Sequence, residues 1–334
     1  MSAFAGGSVP ADTLEQLSLR ATKYFTGTDV DLPGIVWFEH LNLEINKGMK
    51  QAAYAFYRDI LGCTPDVSPS FHLNIGKQQF HLGESSGAEG HVINGSIGLV
   101  VPSLLAIKDA CETVGKRLLG GTKLKITQYN SANESMTLTG PFGNTFHLFQ
   151  IGERVDTKDP GNLTFMERKH LNVDTERAVL GRPGIKFMEW LVKDVGPVCT
   201  FYKDIFGCNT FMDKETGCGV VQAGPSVHFL FRPCGTLSEE LLKKQRGVHV
   251  CCYVSKFKQS YDKLKSANAI WTNPRFKTLD KCDCWEDALG GRQYRFKDFV
   301  DPTTKRKIFE LEHETRAMRH YQYLKEVAYV PFER

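Results

Sequence analysis

This chain of 334 residues has no C-x-x-C pair among its ten cysteines, no apolar run long enough to span a bilayer and no block of basic residues. The first absence, together with residues 1–10 that show neither an Arg-rich amphipathic pattern nor a leader-like run, makes free thiols in a reducing compartment the expectation. The cytosol is the expected location. Cys282 and Cys284 stand one residue apart, which does not close a zinc site, and Asp283, Glu286 and Asp287 around them oppose a reactive thiolate. The other two absences argue against membrane and nucleic acid as partners: 42 Lys and Arg face 38 Asp and Glu, and the net charge of +4 is spread along the chain. The expected partner is a small molecule, bound to a monomer or homodimer.

What is present is a duplication. Phe56-Tyr57-Arg58-Asp59-Ile60-Leu61-Gly62-Cys63 returns 145 residues later as Phe201-Tyr202-Lys203-Asp204-Ile205-Phe206-Gly207-Cys208. A period that long marks a copied domain rather than a solenoid repeat, and the chain is long enough for two domains with cores of their own. Hydrophobic periodicity predicts strand 35–45, helix 50–61, strands 71–75 and 78–83, then strand 96–101, helix 104–119 and strands 124–129, 135–139 and 145–150. The second half repeats the order, from strand 185–192 and helix 197–206 through strand 248–254 and helix 257–266 to closing strands 293–299 and 307–312. Hairpin-linked strands outnumber crossovers, so the class is α+β. The expected division is an N-terminal arm at 1–33 carrying a peripheral helix at 11–25, a first domain at 34–151, a polar linker at 152–183, a second domain at 184–315 and a C-terminal tail at 316–334, with 315–327 helical.

Three pieces of text in the first half, His40-Leu41-Asn42-Leu43-Glu44-Ile45, the duplicated phrase and Gly140-Pro141-Phe142-Gly143-Asn144-Thr145-Phe146-His147-Leu148, have counterparts in the second. The second half follows the same pattern in order through four segments, 187–195, 201–208, 247–254 and 301–312. The combination resembles the glyoxalase, bleomycin-resistance and extradiol-dioxygenase superfamily, the vicinal oxygen chelate proteins, over residues 34–151 and 184–315. The resemblance implies tandem βαβββ modules in two paired-module, glyoxalase-like domains, with sheets curved around a cavity. It further implies a divalent metal held by side chains from the first and last strands of each module. The implied function is a metal-dependent glyoxalase-like lyase or isomerase acting on a small oxygen-bearing substrate. An Fe(II) extradiol-type dioxygenase and a non-catalytic small-ligand binder of the same fold are the alternatives.

Strand phase sorts the ligands that the resemblance implies, since alternate side chains share a face. Glu189 shares the face of Phe187, where the first-strand ligand falls, and a carboxylate amid Phe187, Met188, Trp190 and Leu191 is costly to bury unpaired. His249 matches the first-strand histidine of a second module and Glu310 the closing-strand carboxylate, with His228 as the fourth donor. Glu189, His228, His249 and Glu310 form a two-His, two-carboxylate set suited to Zn²⁺, Ni²⁺, Mn²⁺ or Fe²⁺, in which Glu310 and Glu189 are the catalytic carboxylates. The expected centre therefore lies in the second domain. Phe187, where ring-cleaving members carry a histidine, counts against the dioxygenase reading. A second possible site in the first half comprises His40, His81 and His147, which either hold a metal or line a pocket through hydrogen bonds. Glu312 and Glu314, beyond Glu310, read as exposed strand-end charges.

Overall fold

The structure, a computed structural model, describes residues 11–25, 32–67, 70–131, 134–150, 184–225, 227–276, 280–301 and 304–323. Module one is β1 (Ile35–Ile45), a helix that starts as α over Lys50–Ala53 and continues as π over Tyr54–Ile60, β2 (Thr64–Pro65), β3 (His72–Ile75) and β4 (Gln78–Glu84). Module two is β5 (Gly95–Val101), a helical stretch opening at Leu104–Ala110, β6 (Lys125–Asn130), β7 (Ser135–Thr139) and β8 (Thr145–Gln150). Module three is β9 (Gly184–Val192), the helix Val195–Phe206, β10 (Thr210–Met212), β11 (Gly219–Gln222) and β12 (His228–Pro233). Module four is β13 (His249–Val254), the helix Phe257–Ser266, β14 (Gln293–Val300) and β15 (Lys307–Ala317), with a single bridge between Ile270 and Phe296 in place of a third hairpin strand. The α+β class and the modular order are as the sequence predicts.

The seven-stranded sheet runs β14-β15-β13-β1-β4-β3-β2, and the eight-stranded sheet runs β10-β11-β12-β9-β5-β8-β7-β6. Antiparallel pairing of β1 with β13 joins modules one and four, and antiparallel pairing of β5 with β9 joins modules two and three. Each sheet therefore takes one module from the segment 34–151 and one from 184–315. Strand pairing joins modules across those two segments, not within them.

The duplicated phrase explains how the two sheets are held together. Phe56 packs on Phe146 of the eight-stranded sheet and Tyr57 on Phe80 of the seven-stranded one, at ring separations of 5.2 and 5.0 Å. Tyr202 packs on Phe229 of the eight-stranded sheet at 6.0 Å and on Phe299 of the seven-stranded one at 5.4 Å, and Phe201 packs on Phe299 at 4.4 Å. Both helices thus lie between the sheets in a shared core, and each copied Phe-Tyr pair serves two sheets rather than one. The copied glycines end those helices. Gly62 and Gly207 have φ of +75° and +78°, and their N–H groups donate to Arg58 O and Lys203 O, closing a left-handed C-cap that other residues adopt only with strain.

Where β5 meets β9, a Cβ on Gly95 would stand 1.9 Å from the carbonyl oxygen of Glu189. Gly95→Ala is expected to cost about 2–4 kcal/mol, from steric overlap and a disfavoured φ together. Urea denaturation checks this; a wild-type midpoint would mean that the junction reseats freely.

Three expectations need correction. The closing strand does not end at Glu312 but runs to Ala317, because residues 313–317 find partners on both sides: Glu314 is opposite Arg295 and Cys251, and Arg316 is opposite Gln293 and Tyr253. The helix expected over 315–327 is strand and then turn as far as residue 323; its remainder, like the linker 152–183, lies outside the described residues. The N-terminal helix α1 (Ala11–Phe25) exists as predicted but is not peripheral, since Leu14, Leu17, Ala21 and Phe25 are buried. Among the described residues no helix is long and apolar enough to cross a membrane, and all ten cysteines are free.

Candidate metal centre

Strand phase gives the seven-stranded sheet one apolar and one polar face. On β15, Leu311 and His313 turn into the shared core, where His313 accepts from or donates to Tyr202 Oη at 2.9 Å, so Glu312, Glu314 and Arg316 turn the other way. On β13, Val250 and Cys252 join the core and leave His249, Cys251 and Tyr253 on the polar face. β1 reaches that face through a bulge. Its pairing steps from Phe38 opposite Cys252 to His40 opposite Cys251, so Glu39 is an extra residue, and the bulge turns both Glu39 and His40 toward the same partners.

Three of these side chains converge. His40 Nε2 lies 3.8 Å and His249 Nε2 3.5 Å from Glu314 Oε2, and one donor atom from each of the three residues falls within 4.8 Å of the others. All three residues are buried. His40 Nδ1 lies 3.0 Å from Glu39 Oε2; a proton held there leaves Nε2 as a lone pair facing the group, and that buried nitrogen has no hydrogen-bond partner. Glu39 is itself fixed by the Tyr253 hydroxyl, which donates at 2.8 Å, and by Arg316 at 2.6 Å.

The charge states suit a cation. Burial alone would raise the Glu314 carboxyl, but Arg295 and Arg316, one on each oxygen, with His40 and His249, hold it well below the ordinary carboxylate range. Burial and then Arg295 push His249 well below its usual 6.5, so its ring is neutral near pH 7. Two neutral imidazoles and one carboxylate form a donor set that suits a divalent transition metal, and the unsatisfied Nε2 of His40 is the kind of orphan such an ion would satisfy. The residues present fit the group.

His81 and His72 stand beside the three without joining them. His81 stacks face to face on His40 at 3.7 Å and His72 on His81 at 3.6 Å, so His81 offers His40 a ring face while its Nε2 engages Gln79. Burial, then His40 and His72, keep His81 far below 6.5.

The four residues grouped by sequence are not brought together. His249 and Glu310 lie on the seven-stranded sheet, whereas Glu189 and His228 lie on the eight-stranded one. Glu310 is a rim residue, paired with Lys307 and 3.8 Å from Arg246. The carboxylate that reaches His249 is Glu314, four residues further on, and it is buried rather than an exposed strand end. On the eight-stranded sheet each former candidate has a local partner: Glu189 holds Arg232 at 2.7 Å and accepts from Ser96 at 2.6 Å, and His147 Nδ1 meets the Thr137 hydroxyl at 3.0 Å. α1 covers this face, packing Leu14, Leu17, Ala21 and Phe25 on Phe149, Phe187, Val220 and Leu230, with Ser18 on His228 at 3.3 Å. The face equivalent to the candidate centre is therefore filled by the chain's own helix.

No family model matches the sequence, and no curated protein matches it. Among solved structures, a mutant of glyoxalase I from Zea mays superposes with a TM-score of 0.50 at 11% identity, covering 87% of this chain and 96% of that one. Another structure of glyoxalase I from Zea mays gives 0.48 at 12% identity over 84% and 92%. A 2,2',3-trihydroxybiphenyl 1,2-dioxygenase from Sphingomonas wittichii gives 0.27 at 13% identity over 85% and 90%. At these identities the likeness is one of fold.

Proposed function

We propose that this chain, whose fold is the vicinal oxygen chelate fold, is a divalent-metal-dependent enzyme acting on a small oxygen-bearing substrate, with His40, His249 and Glu314 as the metal-holding residues. The observation that carries the reading is their convergence from the first strand of module one and the first and last strands of module four, around a buried His40 Nε2 that has no hydrogen-bond partner. Bound there, the ion would supply Lewis acidity worth several kcal/mol to a developing oxyanion and, if it is iron, redox chemistry as well.

The remaining work falls to the protein. Glu39 sets the tautomer and orientation of His40; Arg295 and Arg316 keep Glu314 ionised; the stacked His81 shields His40 from water. Glu312 is the carboxylate suited to moving a proton. Burial raises it above the ordinary carboxylate value despite Arg295, and it lines the adjacent cavity. A lyase or isomerase reaction that shifts a proton uses that group. The dioxygenase reading is favoured by the donor set itself, two imidazoles and one carboxylate.

Metal analysis by elemental mass spectrometry on protein purified without chelator tests the proposal. Wild type is expected to hold one equivalent, while His40→Ala and His249→Ala hold roughly a tenth or less, on the scale of metal-site perturbations, and His228→Ala and His147→Ala keep theirs. Full metal content in both His40→Ala and His249→Ala would sink the reading. Oxygen uptake with catechols after anaerobic iron loading, against proton exchange without oxygen uptake, separates the two reaction classes.

A further inference from the structure

A cavity of about 530 Å³ opens beside the polar face, bounded by the helix Glu239–Lys244 and the turn after it, the segment 271–275 and the strands β14 and β15. Its volume lies in the range of small-molecule sites. Glu312 forms part of its wall and shares Arg295 with Glu314, Arg295 Nη1 standing 2.8 Å from Glu312. Glu312 and Glu314 stand two positions apart on the same face, roughly 7 Å along β15. A ligand in the cavity thus reaches toward the candidate metal centre.

The lining sets the chemistry. Leu242, Trp271 and Ile308 supply an apolar wall, while Lys193, Arg246, Arg275, Lys297 and Lys307 face three carboxylates. Those carboxylates are already engaged: Glu239 with Arg246, Glu310 with Arg246 and Lys307, and Glu312 with Arg295. Arg275 is held by Glu44 at 2.6 Å. Among the described residues no carboxylate pairs with Lys193 or Lys297, so their charges are unspent. Lys297 places its ammonium 4.8 Å from the centroid of Trp271, a contact that fixes the cation against an aromatic wall of the same cavity. Both cavity arginines are committed to carboxylates, so an anion meets two single ammonium charges and no guanidinium fork, which matches a monoanionic carboxylate better than a phosphate.

We infer that this cavity takes a small amphipathic carboxylate, its apolar body against Trp271, Leu242 and Ile308 and its carboxylate on Lys297, with Lys193 adding charge at the mouth. This rests on the reading of the polar face as a catalytic centre, since it names the substrate class of that same site. The carboxylate anchors the substrate at one end, and the opposite end points along β15 toward Glu314.

Isothermal titration of metal-free protein with 4-phenylbutyrate, with the neutral 4-phenyl-1-butanol and with inorganic phosphate tests the inference. Saturable binding of the carboxylate is expected, at least tenfold tighter than that of the alcohol, and weakened about tenfold in Lys297→Gln. Lys193→Gln, at an exposed position that cannot disturb folding, is expected to weaken it about threefold, and Lys265→Gln, away from the cavity, to leave it unchanged. Equal affinity for acid and alcohol, unaltered binding in both cavity-lysine variants, or preference for phosphate overturns the inference. Because no metal is present, such a failure leaves the metal analysis standing. Carboxylate binding by protein that never takes up metal overturns the catalytic reading instead and leaves a binding protein.

Discussion

Glu314→Ala is expected to lower the unfolding free energy by roughly 3–5 kcal/mol, the scale for breaking a buried ion pair by removing one partner. The carboxylate has two guanidiniums on its oxygens, Arg295 and Arg316, and all three side chains are buried. Deleting it leaves two positive charges facing each other and a void between them. The loss is bounded because Arg295 keeps Asp280 and Glu312, and Arg316 keeps Glu39. Glu314→Gln preserves the volume and one hydrogen-bond acceptor, so it should cost about half as much. The pair of variants separates the structural role of Glu314 from its proposed role toward a metal: Gln keeps the fold intact at room temperature while metal uptake falls with the lost charge. Equilibrium urea denaturation at neutral pH gives the energies. A Glu314→Ala midpoint equal to that of wild type would mean that the arginines repair the network without it.

Acidification should release α1 before it unfolds the sheets. His228 sits under that helix with its ordinary value of 6.5 depressed to about 3 by burial, with Lys186 adding to the effect. Released, the imidazole regains 6.5, so the undocked state binds the extra proton. Docking is therefore at full strength above pH 6.5 and weakens as pH falls toward 3. At 1.36 kcal/mol per pKa unit the whole span is worth roughly 5 kcal/mol, and about 2 kcal/mol of it, near thirtyfold in the docked-to-released ratio, is lost by pH 5. The other polar anchor survives that range. Arg20 holds Asp213 at 3.1 Å, and although burial pulls the Asp213 carboxyl up, Thr216 and Arg20 bring it below its usual 3.8. Amide hydrogen exchange of residues 14–25, corrected for intrinsic rates, should show protection falling between pH 7.5 and 5 in wild type and holding in His228→Phe. Equal loss of protection in both would assign the effect to some other group.

The local elements were legible from sequence because each rests on short-range physics: alternation on the strands, the apolar face of α1 and a glycine closing each copied helix. Which module pairs with which was not. Modules one and three carry the same helix phrase, and β1 and β9 present similar edges, so local patterning allows modules to pair along the chain or across it. Only the registers of β1 on β13 and β5 on β9 distinguish these arrangements. That topology decides the site. His40 and His249 are recognisable as strand histidines in otherwise apolar text, but grouping them requires knowing that their strands are neighbours. Glu310, Glu312, Glu314 and Arg316 all share one face of β15, and which of them meets His249 depends on the stagger of β15 against β13. Arg295 on its strand reads as a surface residue until its buried carboxylate partners are known, and Arg316 fell in the tail expected to be helical.

The nesting of the modules also sets an order of assembly during synthesis. Everything needed for the eight-stranded sheet is contained between residues 95 and 233 apart from the α1 cover, which has already been made. The emerging chain can therefore complete that sheet while module one waits beside it, with β1 lacking β13. The seven-stranded sheet closes only when β15 arrives, joining ends of the chain more than 200 residues apart, a slow step by loop-closure and contact-order reasoning. His40 thus leaves the ribosome early and Glu314 late, so a chain stopped short of residue 314 contains every strand of the eight-stranded sheet but lacks one of the three residues proposed to hold a metal.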